Sequence, residues 1–243
     1  MNVLIRISFL GENYYGTQKQ VKNRTIQGEF EKYLSRIYST DIKVTICSRL
    51  DRKVNALDFA LSFFTENESI SLDHLKYYLA RSLDNDIFIK EIKRVNDDFS
   101  PRYNCINKQY LYQIQNGNEY NPLLKNFTFI PPVPLDSKII KEVVYLYKGR
   151  HDFRYFATPE GDENTILTVD DVSFTEEDDI LKIRFVGKSF LRYQIRFMVG
   201  SAIAVCNKKL TIDNIKDRLN SVDNAKSKYK AEPQGLLLEK INY

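Results

Sequence analysis

Two histidines and three cysteines among 243 residues leave this chain poor in the side chains that most often bind metals or carry protons near neutral pH. His74 and His151 stand outside any spaced cluster of cysteine, histidine and carboxylate, so no transition-metal site and no His-centred acid–base pair is expected. Cys47, Cys105 and Cys206 are isolated and odd in number, which excludes a disulfide framework and a paired zinc-ligand pattern and leaves reduced, mostly buried thiols. Long apolar runs are missing as well. Apolar stretches such as 139–147 are broken by charge and fall well short of a bilayer span, and no charged-then-apolar leader opens the sequence. A cytoplasmic protein without a membrane partner is the expectation.

What the chain does have is a core-forming share of apolar residues, 43%, enough for one large domain or two small ones. Its net charge of +4 is mild, but cations recur between aromatics, as in Lys188-Ser189-Phe190-Leu191-Arg192-Tyr193. Such interleaving suits a polyanion with exposed bases, although charge alone decides little because most surface cations are simply solvated.

The first half opens with an alternating strand over 3–9, in which Val3, Ile5, Ile7 and Phe9 share a face. Thr25 can cap a helix whose Ile26, Phe30, Tyr33, Leu34 and Ile37 recur at helical spacing. Two short strands, 42–47 and 57–64, enclose the charged turn 48–55; a helix capped by Ser71 carries Leu72, Leu75, Leu79 and Leu83; and a strand over 87–95 completes a βαββαβ order. The second half repeats it, with strands at 108–114, 166–174, 180–186 and 235–241 and helices at 136–147, 190–205 and 211–219. The predicted fold class is therefore α+β: two tandem split-βαβ, ferredoxin-like or RRM-like units forming mixed sheets, with helices on one face and a cleft between the halves. Residues 116–134, rich in Asn, Gly and Pro, read as a connection that cannot continue a helix. Near it the chain divides into an N-terminal domain, 1–107, and a C-terminal domain, 108–243.

The turn Ser48-Arg49-Leu50-Asp51-Arg52-Lys53-Val54-Asn55-Ala56 sets one acid among three cations, which should keep Asp51 ionised. By spacing alone it reads more readily as a solvent-exposed hairpin turn with incidental, weak ion pairs. Other segments change that. Phe9 to Gln20, containing Gly16-Thr17-Gln18, and Thr25-Ile26-Gln27-Gly28 resemble the opening segments of the tRNA pseudouridine synthase A family, with Thr17 where the family carries Trp. The turn at 48–56 is similar to the family's Gly-Arg-Thr-Asp-Ala-Gly-Val-His-Ala signature. Phe99-Ser100-Pro101-Arg102-Tyr103, Lys108-Gln109-Tyr110-Leu111-Tyr112, Gly149-Arg150-His151-Asp152-Phe153, the stretch 189–200 and Ala231-Glu232-Pro233-Gln234-Gly235-Leu236 resemble further family segments, in the family's order.

The resemblance implies an RNA pseudouridine synthase, an isomerase that breaks the uridine N1–C1′ bond, turns the base and rejoins it through C5, so that no atoms are gained and no cofactor is needed. Asp51 becomes the catalytic carboxylate, as nucleophile or as stabiliser of an intermediate at C1′. Arg196 becomes its pairing arginine. Tyr110 becomes the active-site tyrosine, stacked on the uracil and assisting proton transfer at the sugar or at C5. Arg49 would fill the space left by the flipped base. Arg52, Lys53, Arg102, Lys188 and Arg192 are expected to contact RNA, and no metal is expected.

Leu50, Arg52, Lys53 and Asn55 replace the family's Thr, Ala, Gly and His, which marks a divergent member. A lysine at a turn-glycine position matters if that position needs positive φ. The target is then a tRNA uridine, in the anticodon stem-loop region or elsewhere, or one in ribosomal RNA. The family implies a homodimer. Two other functions fit the residues: a non-catalytic RNA-binding or RNA-chaperone protein that kept the basic cleft, and a duplicated ferredoxin-like module for a small ligand or protein.

Overall fold

The computed structural model describes residues 1–220 and 225–243. It has an α+β architecture whose strands and helices gather into two compact units, Met1–Ile106 with Leu238–Tyr243, and Asn107–Leu237. Among the described residues no helix is long and apolar enough to cross a membrane.

The first unit runs β1 (Asn2–Phe9), α1 (Ile26–Tyr38), β2 (Val44–Ile46), β3 (Asn55–Phe64), α2 (Leu72–Ser82) and β4 (Ile87–Val95), the predicted βαββαβ order. The strands lie as β4-β1-β3 with β2 on β3, so β3 is inserted between β1 and β2 in the manner of a split βαβ. All three of these pairings are antiparallel. Register puts Val3 opposite Phe63, Ile5 opposite Leu61 and Ile7 opposite Phe59, a fully apolar face. Tyr38 at the end of α1 lays its ring 5.6 Å from Phe63, which seats that helix on the same face. Each side chain buried there contributes roughly 1.5–3 kcal/mol.

Thr25 and Ser71 cap their helices as expected, each hydroxyl accepting an amide proton from the residue three along. The buried stripe of α1 is rotated from the expected one: Tyr33 and Ile37 are half-buried, whereas Glu31 and Tyr38 are buried. Glu31 tolerates this because its carboxylate accepts from Val44 N and Gln27 Nε2 and pairs with Lys19 Nζ at 2.6 Å. On the other face of β1 a polar knot forms. Arg6 grips buried Asp58 through two guanidinium nitrogens, Ile241 N donates to the same carboxylate, and Arg6 donates to Ile241 O. Bonding to Asp58 raises the Arg6 pKa, so the guanidinium stays charged. Ile241 lies on β10 (Leu236–Asn242), whose end returns to this unit beside β3.

The second unit contains β5 (Asn107–Gln115), α3 (Ser137–Tyr145), β6 (Gly149–Asp152), β7 (Ile166–Val169), β8 (Asp171–Glu177), β9 (Ile180–Gly187), α4 (Gln194–Cys206) and α5 (Ile212–Asn220). Strands β5, β9 and β8 are neighbours in that order, again antiparallel. Three features differ from the sequence reading. The strand expected over 166–174 is two strands, parted at Asp170. Residues 149–152 pair with β7 as a separate hairpin. The expected helix from Phe190 begins only at Gln194, because Tyr193 sits in the left-handed region at φ 64° and the Gln194 side chain turns back to accept from Leu191 N.

Helix α4 is buried nearly all round and packs on α3, and just past the end of α3 the Tyr147 hydroxyl donates to Met198 O. Cys47 and Cys105 are buried; Cys206 is half-buried, and burial pushes its thiol up to about 11.

Candidate active site

In the first unit the candidate residues Arg49, Asp51, Arg52 and Lys53 share one loop, 48–54, between β2 and β3. A second loop, 11–17, clamps it. Thr17 is completely buried; its hydroxyl donates to Ser48 O at 3.0 Å and accepts from Leu50 N at 2.8 Å, while Thr17 N donates to Leu50 O at 3.1 Å. Gly16 makes the close approach possible. It has φ 94°, and a Cβ there would stand 2.5 Å from Leu50 O. The far end is held by buried Asn55, whose Oδ1 accepts from Gly11 N, and by Val54 N donating to Asp51 O. Leu50 is buried and acts as a plug, so Asp51 is presented half-buried and Arg49 exposed from a fixed backbone.

The cations flanking Asp51 are engaged within the unit. Arg52 stacks over the Tyr15 ring at 4.3 Å, and Lys53 pairs with Glu12 at 2.9 Å. Lys53 does occupy a positive-φ position, at 68°. A left-handed non-glycine residue costs roughly 1–2 kcal/mol, partly offset by glycine's greater unfolded-state freedom. Lys53→Gly should therefore stabilise the fold by about 0.5–1 kcal/mol in urea unfolding; a loss of stability would show that the Glu12 pair outweighs the backbone strain. Arg102 is exposed on a turn of its own, where Ser100 N donates to Asn104 Oδ1 and the guanidinium stands 5.4 Å from the Tyr103 ring.

In the second unit Tyr110 and Tyr112 point to one face of β5. Tyr112 is wholly buried, its hydroxyl donates to Glu232 O at 2.8 Å, and burial raises its pKa far beyond the usual phenol range. It is structural. Tyr110, at 5% exposure, sets its ring edge-on to Phe190 at 5.3 Å. Phe190 belongs to the elbow 188–193 that feeds α4 and carries the exposed Lys188 and Arg192. One turn into α4, buried Arg196 donates from Nε to Ala231 O at 2.9 Å while Ala231 N donates to Arg196 O, a reciprocal pair that fixes the guanidinium. Tyr110, Lys188, Arg192 and Arg196 thus gather around one elbow.

His151 and Asp152 form no dyad: His151 Nε2 bonds Lys148 O, and Asp152 accepts from Arg154 N.

The family model described as tRNA pseudouridine synthase matches residues 5–104 and 143–243. The chain belongs to that family. It is 35% identical over 240 residues to the tRNA pseudouridine synthase A of Aquifex aeolicus, covering 99% of this chain and 98% of that one. It is 34% identical to the protein of the same name from Dictyoglomus thermophilum, each covered in full, and 29% identical over 242 residues to that of Staphylococcus aureus, covering 99% and 90–91%.

For a tRNA pseudouridine synthase family member, the two matched stretches carry every candidate residue except Tyr110, which falls between them. Sequence reasoning marked Thr17 only as a replaced tryptophan and did not see its grip on the Asp51 loop. The hydrogen bonds span more than thirty positions, 31 to Ser48 and 33 to Leu50, and no local pattern announces them. It also passed over Lys226, Lys228 and Lys230, although a period of two was there to read.

Proposed function

We propose that this protein isomerises uridine to pseudouridine in tRNA, with Asp51 as the catalytic carboxylate. What carries the reading is an Asp on a loop whose backbone is locked on both sides, in a chain matched along nearly its whole length by tRNA pseudouridine synthases. An ionised carboxylate held this way can attack or stabilise C1′ at little cost of reorganisation. Arg196 orients and charges it; Tyr110 stacks on the base; Arg49 occupies the place the base leaves, offsetting a flipping cost on the order of a few kcal/mol. Arg52, Lys53, Arg102, Lys188 and Arg192 contact the RNA backbone. No atom enters or leaves, so the chemistry asks for no cofactor. The 1–107 and 108–243 domains each supply part of the catalytic set, the enzyme works as a homodimer in the cytoplasm, and the anticodon stem-loop region is the favoured target.

The test is to incubate purified protein with unmodified transcripts of the host's tRNAs and ribosomal RNA and map pseudouridine by base. New pseudouridine at defined anticodon-arm positions is expected. Product confined to ribosomal RNA would overturn the substrate assignment. RNA binding without product would replace the enzyme by an RNA-binding protein.

A further inference from the structure

Residues 225–232 cross α4 as a strap before β10. Ser227 N donates to Tyr155 O at 2.8 Å, the buried Ser227 hydroxyl meets that of Ser201 at 3.1 Å, and Ala231 forms the reciprocal pair with Arg196. The strap lies directly on the helix because Gly200 has no Cβ: one there would stand 2.7 Å from Ala231 N and overlap Tyr229 O. From Lys226 to Ala231 the residues run exposed, buried, exposed, half-buried, exposed, buried. That alternation is the signature of an extended chain, with every second side chain facing out.

The outward set is Lys226, Lys228 and Lys230, spaced two residues apart, roughly 6.6 Å at each step. Among the described residues none of the three forms an ion pair, in contrast to Lys19, Lys53, Lys148 and Lys182. Their ammonium groups stand over aromatic rings instead: Lys230 at 4.3 Å from Tyr193, Lys226 at 5.5 Å from Phe197 and Lys228 at 5.5 Å from Tyr229. The Arg192 guanidinium shares the Tyr193 ring at 4.9 Å. Three like charges spaced along one strap repel one another. A run of phosphates, spaced along a nucleic-acid strand by about the same step, relieves that repulsion and exchanges counterions for protein cations.

The geometry points to Lys226, Lys228 and Lys230 as a ladder that grips successive phosphates of the substrate RNA. This rests on the proposed RNA-modifying function and adds to it a surface that positions the substrate. Ala231 is the next residue and holds Arg196, so RNA seated on the ladder bears on the same strap that fixes a residue proposed for catalysis.

The experiment compares the full-length wild type with the triple Lys→Gln and triple Lys→Arg variants at 226, 228 and 230, using one tRNA transcript over a salt series. The Gln variant should bind roughly tenfold or more weakly at low salt, and its log Kd against log salt should be shallower by roughly two to three, about 0.7 to 0.9 for each lost contact. KM should rise with kcat retained at saturating RNA. The Arg variant should restore affinity and slope, which a merely structural role would not require. An unchanged slope and Kd in the Gln variant, with the wild type active, would overturn the ladder alone. A wild type that neither binds nor modifies tRNA would overturn the function and the ladder together.

Discussion

Asp51→Asn is expected to abolish pseudouridine formation, lowering kcat by roughly a thousandfold or more, the usual consequence of removing a group that carries the covalent chemistry. Binding of tRNA should change by less than about threefold, because phosphate contacts dominate RNA affinity. The substitution is nearly isosteric and leaves the backbone untouched. Thr17 still holds Ser48 and Leu50, Val54 N still donates to the carbonyl of residue 51, and Gly11 N still meets Asn55. What disappears is the charge, and an amide neither attacks C1′ nor balances an oxocarbenium-like centre. No neighbouring acid on β3 can stand in: Asp58 is 3% exposed and committed to Arg6 and Ile241. Single-turnover assays paired with anisotropy binding separate the two effects. Activity above about a tenth of wild type would remove Asp51 from the catalytic role.

Much of this was legible because the local rules agree with the fold. Apolar alternation gave β1, strands were also expected where β4, β5 and β9 lie, and Thr25 and Ser71 gave two helix starts to the residue. The failures share a cause, which is that the deciding contacts are distant in sequence. β6 reads Gly-Arg-His-Asp, without apolar alternation, and is a strand only because β7 pairs with it. The start of α4 was misplaced because the apolar pattern continues through Phe190 and Leu191, and only backbone geometry shows Tyr193 in the left-handed region. The Arg6–Asp58 knot depends on β1–β3 register, and a buried Glu31 inside an amphipathic stripe looks like a surface residue until Val44 N is found against it. In the candidate site, composition shows three cations near Asp51. It takes the structure to show Lys53 on Glu12 and Arg52 on Tyr15.

Thr17→Val should be the most damaging change outside the proposed catalytic residues, because it keeps the shape of a fully buried side chain while deleting both hydrogen bonds of its hydroxyl. Leu50 N would then lose its partner in a buried site, at about 1–3 kcal/mol for the group left unpaired, and the half-buried Ser48 O would lose one hydrogen bond, worth about 0.5–1.5 kcal/mol. A loss of about 2–4 kcal/mol follows, a large share of the 5–15 kcal/mol that typical domains possess. The backbone bond from Thr17 N to Leu50 O survives, so the loop stays tethered but loses its fixed path. Displacing a reacting group by about 1 Å can cost on the order of a hundredfold in rate, so kcat should fall roughly tenfold to a hundredfold even at temperatures where the variant remains folded. Thr17→Ser restores the hydroxyl and removes only a methyl, and should keep stability within about 1 kcal/mol of wild type with near-normal kcat. Urea unfolding together with single-turnover rates for both variants tests the clamp. A Val variant as stable and as fast as wild type would mean that Gly16 and Asn55 alone set the Asp51 loop, whereas a Ser variant as impaired as Val would put the effect in methyl packing and not in the hydroxyl.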